Sequence, residues 1–253
     1  MLLNVIVEMW MNKKIDYNLI AEKYAAHRRV HPGVLKELLE CGITDESRIL
    51  EVGCGTGNYV TTIQQLTDCS AYGIDPHEGM LEIARQKDSR VSFQIGRAEL
   101  LDFPDDHFDL VYNVDVIHHV EDRPEAYRQA YRVLRPGGLV CTVTDSEDII
   151  HRRKPLSNYF PETVPLELRR YARMADLMDY MSAAGFVKIE EMNVEMALKI
   201  TDIQKYRDKA YSSLHLISAE AFAQGIRRME QDLAVRPIDG LSLYALLWGT
   251  KQN

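Results

Sequence analysis

The chain has 253 residues, of which 46% are hydrophobic and 27% are charged. That length suits one large domain, or a domain with an appended cap, better than two independent domains. The composition is close to the globular average and excludes disordered, collagen-like and coiled-coil proteins. A net charge of −8 argues against a general nucleic-acid binder, which needs Lys and Arg to displace counterions along the phosphates.

The charge is spread unevenly along the chain. Residues 1–150 contain 15 Lys and Arg against 25 Asp and Glu, a net of −10, whereas residues 151–253 contain 15 against 13, a net of +2. We therefore expect the two parts to meet ligands of different charge. The alternative explanation is that this difference in charge arose by random substitution of solvated surface residues.

Neither a metal centre nor a membrane anchor is predicted. The chain has four cysteines, Cys41, Cys54, Cys69 and Cys141. They form no CxxC pair and no zinc-type spacing with His, which favours reduced thiols and a cytoplasmic protein. The apolar opening MLLNVIVEMW is too short to span a bilayer and lacks the features of a secretion signal. Met11 is a second candidate start, which would make residues 1–10 an extension.

Short β runs alternate with helices over the first part of the chain. Strands are predicted at 48–52, 71–74, 91–95, 108–114 and 138–144, with helices at 57–67, 78–87 and 122–134. Two further helices that meet at His31-Pro32-Gly33 precede them. This alternation predicts an α/β fold with a doubly wound parallel sheet and helices on both faces.

The pattern changes after residue 145. A polar segment to residue 165 is followed by one predicted helix at 166–184, a strand at 187–196, helical stretches near 202–213 and 218–234, and a strand at 241–250. A connection as long as 197–240 between two strands is usually a lid or a substrate surface. We therefore expect an N-terminal cap at 1–45, a core at 46–146 and a C-terminal part at 147–253. Its cap insertions are predicted at about 147–173 and 197–240.

A glycine-rich loop follows the first predicted strand. Gly53, Gly55 and Gly57 lie in the sequence EVGCGTG, where a strand turns into a helix. Glycine adopts main-chain conformations closed to other residues and lets a ligand approach the backbone without meeting a Cβ. A purely structural turn is the alternative. The GxGxG spacing differs from that of pyrophosphate cofactors, and no GK[ST] follows.

An acidic residue ends the next predicted strand. A carboxylate at Asp75 is positioned to accept hydrogen bonds from both hydroxyls of a ribose, although an Asp before Pro76 is also a common turn residue. The segments GRAE at 96–99 and RPGG at 135–138 flank two further strands. These four markers in this order indicate a nucleoside-binding site.

The segments ILEVGCGTGNY, GIDP, GRAELLDFPDDHFDLVYNVDVIHHVED and RVLRPGG resemble the class I S-adenosylmethionine (SAM)-dependent methyltransferases. The resemblance is strongest to methyltransferase type 11, the group around the ubiquinone and menaquinone biosynthesis enzymes, and covers about residues 15–146. It implies a mostly parallel, seven-stranded Rossmann-like sheet with a helical cap. It also implies SAM as cofactor and S-adenosylhomocysteine (SAH) as product, but it does not identify the methyl acceptor.

The resemblance further implies contacts to the methionine part of SAM. Gly53, Gly55 and Gly57, with Cys54 between them, would line this part, and Glu51 would lie near its amino group.

On the nucleoside side, the resemblance assigns the ribose hydroxyls to Asp75, which Pro76 follows. Met80 would pack against the adenine, and Ala98 and Glu99 would contact its edge.

Other residues would surround the transferred methyl group. Asn113 would lie beneath the sulfonium, and Tyr24 and Arg28 belong to a segment that folds over the cofactor in similar enzymes. An inward-packing helix with a solvated Arg is the alternative for that segment. His118 and His119 are the candidate catalytic groups, since an imidazole can take a proton near neutral pH. Packing of the cofactor or of the loop is their alternative role.

These residues predict an enzyme that moves a methyl group from SAM to a small-molecule acceptor by in-line displacement. Such a reaction needs alignment and exclusion of water more than a catalytic triad. Basic clusters at 151–154, 169–170 and 173 predict that the acceptor could be anionic. No nucleic-acid or membrane partner is expected. The alternatives are a non-catalytic SAM-binding regulatory protein and an NAD(P)-dependent oxidoreductase.

Overall fold

The computed structural model describes residues 21–22 and 25–252, and a seven-stranded sheet runs through its centre. The strands are β1 (Arg48–Val52), β2 (Ser70–Asp75), β3 (Ser92–Ile95), β4 (Phe108–Val114), β5 (Leu134–Thr144), β6 (Phe186–Ile200) and β7 (Ile238–Lys251). Their spatial order is β3-β2-β1-β4-β5-β7-β6. Pairing is parallel from β3 to β5, whereas β7 runs antiparallel to both β5 and β6. The predicted α/β, mostly parallel, Rossmann-like sheet is confirmed.

Helices cover both faces of this sheet. Those of the first part are α1 (Pro32–Glu40), α2 (Asn58–Thr67), α3 (Glu78–Arg85) and α4 (Arg123–Val133). Those of the C-terminal part are α5 (Glu147–Arg152), α6 (Leu156–Tyr159), α7 (Thr163–Arg170), α8 (Met174–Ala184), α9 (Gln204–Arg207) and α10 (Ala219–Leu233). Short 3-10 turns lie at Ile117–His119 and Ser212–His215. Of the predicted helix before His31, residues 21–22 and 25–30 are described, and of these 21–22 and 25–27 are helical.

The alternation of side chains along the strands builds two cores. Ile49 and Leu50 are neighbours on β1 and are both fully buried, but they belong to different apolar clusters on opposite faces. One cluster includes buried residues of α1 and α2, and the other includes buried residues of α4 and α8. A third cluster lies in the C-terminal part and holds α6, α9 and α10 together.

Strands β6 and β7 extend further than the sequence pattern predicts. The last β5–β7 pair is Thr144 with Ala245, yet β7 continues to pair with β6 as far as Ile238 with Ile200. The two strands therefore form a two-stranded ribbon beyond the end of β5. The connection between them is correspondingly shorter than predicted and covers residues 201–237.

The prediction of a single helix at 166–184 is wrong. Two helices, α7 and α8, occupy this stretch, because Tyr171 and Arg173 both have extended backbone angles and interrupt the helical hydrogen bonds. The stretch near 202–213 likewise contains only the four-residue helix α9 and the start of a 3-10 turn. Helices α5 and α6 lie in the polar segment before residue 165, for which the sequence pattern predicted no helix.

Within the described residues, no helix combines the length and apolar character needed to cross a membrane. No group of three or more His, Cys, Asp or Glu in this part of the chain is placed to hold a metal ion. The four cysteines are free thiols.

Candidate functional site

A cleft of about 540 Å³ lies at the carboxyl ends of the central parallel strands. Val52 and Gly53 border it from the end of β1, Asp75 from the end of β2 and Val114 from the end of β4. The chain crosses from one half of the sheet to the other between β1 and β4, which is where ligands bind in doubly wound folds. The volume falls in the range of small-molecule sites. We call it the nucleoside cleft.

The glycine loop borders this cleft with bare main chain. Gly53 has a φ of 70°, and a Cβ built on it would lie 2.5 Å from a methyl carbon of Val116. Gly57 has a φ of 72°, and its Cβ would lie 2.8 Å from the ring of Phe93. Both positions therefore need glycine for the backbone angle and for the close packing. Gly53 and Gly55 line the nucleoside cleft, whereas Gly57 does not.

The carboxylate of Asp75 is buried beside the loop. Its Oδ2 accepts a hydrogen bond from the Gly55 amide at 2.9 Å, and its Oδ1 accepts one from the His77 amide at 2.9 Å. The His77 ring also lies 2.9 Å from Oδ1. A carboxylate has about four acceptor sites. Asp75 is thus fixed by the protein and keeps acceptor capacity for a polyhydroxyl ligand.

The far end of the cleft has both apolar and polar walls. Pro76, Met80 and Ala98 line it, together with Glu99. The Glu99 carboxylate accepts a hydrogen bond from the Glu121 amide at 3.0 Å. A planar heterocycle would find an apolar surface at Met80 and polar atoms at its edge. The structure therefore brings seven of the predicted cofactor residues to one cavity: Gly53, Gly55, Asp75, Pro76, Met80, Ala98 and Glu99.

Several predicted cofactor residues do not line this cleft. Glu51 is buried under α2, where its carboxylate accepts hydrogen bonds from the Val60 amide at 2.9 Å and from the Tyr112 hydroxyl at 3.3 Å. Burial raises the pKa of Glu51 to about 8. Cys54 is buried in the apolar cluster on the α2 face. Asn113 donates to the Thr142 hydroxyl at 3.1 Å.

Tyr24 lies outside the described residues. The roles of Glu51, Cys54, Gly57, Asn113 and Tyr24 toward a cofactor therefore stay predictions.

A second cleft of about 310 Å³ adjoins the first. It lies between the segment before α1, the β6–β7 ribbon and the C-terminal helices, and we call it the acceptor cleft. Asp115, His118 and His119 line both cavities. These three residues form the wall that the clefts share, and a group transferred between the two cavities would pass there.

Both histidines of the shared wall are held in the neutral form. The His118 ring stacks on Tyr171, with ring centroids 4.1 Å apart and planes 16° apart. Burial lowers the pKa of His118 well below its usual value, and the neighbouring His119 adds to this effect. Burial, followed by the positive charge of Arg170, lowers the pKa of His119 to about 4. Neutral imidazoles at this wall would not repel a cationic ligand.

Asp115 ties the shared wall to two distant segments. Its Oδ2 accepts hydrogen bonds from the Arg28 guanidinium at 2.6 Å and from the Tyr244 hydroxyl at 3.2 Å. Arg28 lines the acceptor cleft and not the nucleoside cleft. Asp115 has a φ of 58°, a left-handed conformation that Asp tolerates better than most residues. Sequence reasoning missed Asp115, and its place directly after β4 was the only available signal.

A buried ionic network forms another part of the acceptor cleft. The Arg153 guanidinium pairs with Asp145, which directly follows β5, and with Glu167 on α7. Glu167 also pairs with Arg170 at 3.2 Å. Burial raises the pKa of Asp145 to about 6, against the opposing effect of Arg153. Sequence reasoning identified Arg153 only as a member of a basic cluster, because no local pattern shows that its charge is neutralised.

A doubly wound sheet with bare main chain and a buried carboxylate at its switch point defines a protein that binds a nucleoside. A neighbouring cleft behind a wall of neutral imidazoles fits a group transfer from that ligand. Residues 50–142 match the family model described as a methyltransferase domain. Residues 50–142 therefore form a methyltransferase domain of the class I SAM-dependent type, and SAM is the cofactor of that class.

Individual relatives agree with this class. A 127-residue stretch, 45% of this chain and 34% of the relative, is 31% identical to sterol 24-C-methyltransferase erg6 of Aspergillus fumigatus. A 100-residue stretch, 37% of either chain, is 38% identical to 27-O-demethylrifamycin SV methyltransferase of Amycolatopsis mediterranei. The match thus spans about a third of the length of these two curated relatives.

The fold is shared with solved methyltransferase structures. Phosphoethanolamine N-methyltransferase 2 of Haemonchus contortus, solved in complex with SAM, has a TM-score of 0.62 at 18% identity. The alignment covers 96% of this chain and 58% of that one. At this identity the likeness supports the architecture and not a shared acceptor.

Proposed function

We propose that the chain is an enzyme that transfers a methyl group from SAM to a small-molecule acceptor. The observation that carries this proposal is the pair of adjacent clefts that share Asp115, His118 and His119. One cavity has the features of a nucleoside site, and the other borders the opposite side of that wall. Bound in the nucleoside cleft, SAM would supply a methyl group activated by its sulfonium.

The residues of this chain would bind and orient. Asp75 would accept hydrogen bonds from the ribose hydroxyls, Met80 would pack against the adenine, and the main chain at Gly53 and Gly55 would approach the amino acid part. His118 and His119 would add no positive charge beside the sulfonium, since the low pKa of each keeps its ring neutral. A base with a pKa of about 4 holds a proton poorly at neutral pH. We therefore assign His119 to positioning and shielding from water.

The charge of the acceptor cleft favours an acceptor with a negative group. Of the basic clusters singled out from the sequence, Arg152 pairs with Asp148 and Arg173 pairs with Asp176. Arg153 is neutralised within the buried network. Lys154 lines the acceptor cleft and has no salt-bridge partner in the described part of the chain. Among the described residues that line the acceptor cleft, Lys and Arg side chains therefore outnumber the carboxylates that could neutralise them.

The free thiols are compatible with our further expectation that the protein is cytoplasmic.

The proposal is tested by methyl transfer and by cofactor binding in parallel. We expect tritium to move from methyl-labelled SAM to a metabolite in a small-molecule extract, and mass spectrometry identifies the product. Calorimetry should show SAH binding to the same preparation. Binding without transfer to any extract would instead support a non-catalytic SAM-binding protein.

The variant Asp75→Asn provides the matching residue test. An amide in this place offers one acceptor oxygen where the carboxylate offers two, so we expect SAH affinity to fall by at least about tenfold, or about 1.4 kcal/mol. Asp102→Asn changes an exposed carboxylate that lines neither cleft and serves as the control. Equal SAH affinity of both variants would remove Asp75 from the binding site.

A further inference from the structure

The acceptor cleft has a continuous apolar wall on the β6–β7 ribbon. Met196, Leu198 and Ile200 are alternate residues of β6, and all three line the cleft. Alternate residues of a strand share a face, so these side chains form a stripe along the ribbon. The stripe begins near Tyr244, whose partner across the ribbon is Val194, and runs away from the shared wall.

Two ammonium groups border the same cleft. Lys154 and Lys205 line the acceptor cleft, and neither has a salt bridge within the described residues. The acid beside Lys154 in space, Asp239, already pairs with Lys199. The Lys205 ammonium lies 5.2 Å from the ring centroid of Tyr206 and 5.7 Å from that of Tyr211. These rings restrain the ammonium without cancelling its charge.

The ribbon also sets a distance between the two ends of the cleft. The Leu241 amide donates to the Lys154 carbonyl at 2.9 Å, which fixes the main chain of Lys154 against β7. Three residues further along β7, Tyr244 donates to Asp115 at the shared wall. Three residues of a strand span roughly 10 Å. Met196, which pairs with Ser242, lies within this interval, and Leu198 and Ile200 continue the stripe beyond Leu241.

We propose that the acceptor is an amphipathic anion. Its anionic group binds Lys154 and Lys205, its hydrocarbon part lies along Met196, Leu198 and Ile200, and its nucleophilic atom reaches the shared wall roughly 10 Å away. A small hydrophilic acceptor would leave the stripe in contact with water. A cationic acceptor would be repelled by the two ammonium groups. This inference rests on the proposed function and names the class of substrate for it.

A series of ligands with the same apolar body and different head groups tests the inference. Octyl phosphate, octanol and octyltrimethylammonium are titrated calorimetrically into the full chain saturated with SAH. We expect octyl phosphate to bind at least about tenfold more tightly than either of the other two. Equal affinities for the three ligands, or no binding of octyl phosphate, would overturn the inference.

Variants locate the binding groups. The double variant Lys154→Met, Lys205→Met should weaken octyl phosphate binding by at least about tenfold while SAH binding is unchanged. Lys36→Met is the control, because Lys36 is an exposed lysine of α1 and lines neither cleft. Leu198→Gln should weaken binding of octyl phosphate and octanol alike. If the double variant no longer binds SAH, the single variant Lys205→Gln replaces it.

The two proposals fail in different ways. Absence of SAH binding, or of methyl transfer to any metabolite, would contradict the proposed function. The inference about the acceptor class alone would be contradicted if the chain bound SAH and transferred methyl groups but showed no preference for the phosphate head group. A preference that the lysine variants leave intact would contradict it as well.

Discussion

At the scale of single residues, the neutral histidines of the shared wall make the stability of the protein depend on pH. His118 and His119 have lowered pKa values in the folded protein, whereas the unfolded chain takes up protons near pH 6.5. Between these values the unfolded state binds more protons than the folded one. Stability contributed by these rings is therefore present above about pH 6.5 and is lost as the pH falls toward 4.

We expect His118→Gln to reduce this loss. Relative to the wild type, the free energy of unfolding of the variant should fall less steeply between pH 7 and pH 5, by about 1 to 2 kcal/mol over the interval. Urea unfolding at the two pH values measures the difference. His151→Gln, at an exposed position, should follow the wild-type curve. A parallel curve for His118→Gln would show that the ring is not kept neutral by burial.

The glycine loop offers a second residue-scale prediction. Gly53→Ala places a Cβ 2.5 Å from Val116 at a φ of 70°, while Gly42→Ala places one in open space at a φ of 96°. The second change lowers the free energy of unfolding only because alanine disfavours this backbone conformation, by about 1 to 2 kcal/mol. The first adds overpacking, so its total should reach about 2 to 5 kcal/mol. Chemical denaturation of both variants checks this, and equal losses would refute close packing as the reason for glycine at position 53.

At the scale of elements, residues 201–237 contribute mainly to the acceptor cleft, although Leu216 lines the nucleoside cleft. This connection supplies Tyr206, Tyr211 and Ser213 to the acceptor cleft. Ile200 and Ile238 at its two ends are paired across the ribbon, so a two-residue Asn-Gly turn can join them. The connection is therefore geometrically replaceable.

We expect replacement of residues 201–237 by Asn-Gly to abolish methyl transfer and leave SAH affinity within about tenfold of the wild type. The physical reason is that the glycine loop and Asp75 lie entirely outside the replaced segment. Calorimetry with SAH and the labelled-SAM assay measure the two activities. A variant with Ser218→Ala, which removes only the N-cap of α10, controls for general loosening of the cap. Loss of SAH binding together with turnover would make the segment structural.

At the scale of the whole molecule, ligand binding should stabilise the fold in a ligand-specific way. A ligand at one hundred times its dissociation constant adds about 2.7 kcal/mol to the free energy of unfolding. In a chain of this length that corresponds to an increase in Tm of roughly 5 to 10 °C. We expect SAH to produce this shift and NAD⁺ to produce none. A shift with NAD⁺ and none with SAH would restore the oxidoreductase alternative.

Much of the fold follows from local patterns. Strands β1 and β4 have the predicted bounds, because a short buried run with turn residues on both sides specifies a strand without help from distant residues. The strands β6 and β7 were predicted too short, since their outer ends are held mainly by pairing with each other. The break between α7 and α8 was missed because the stacking of Tyr171 on His118 depends on a contact between distant elements.

The sequence alone determined the doubly wound core, the glycine loop and the acidic end of β2, because each depends on residues within a few positions of one another. Only the tertiary structure decided which of the described charges at the acceptor cleft form ion pairs and which residues the two clefts share. Asp115 meets Tyr244 across 129 positions, and Arg153 is neutralised by residues on two different elements. Such contacts form when the sheet brings distant segments together, and no local pattern encodes them.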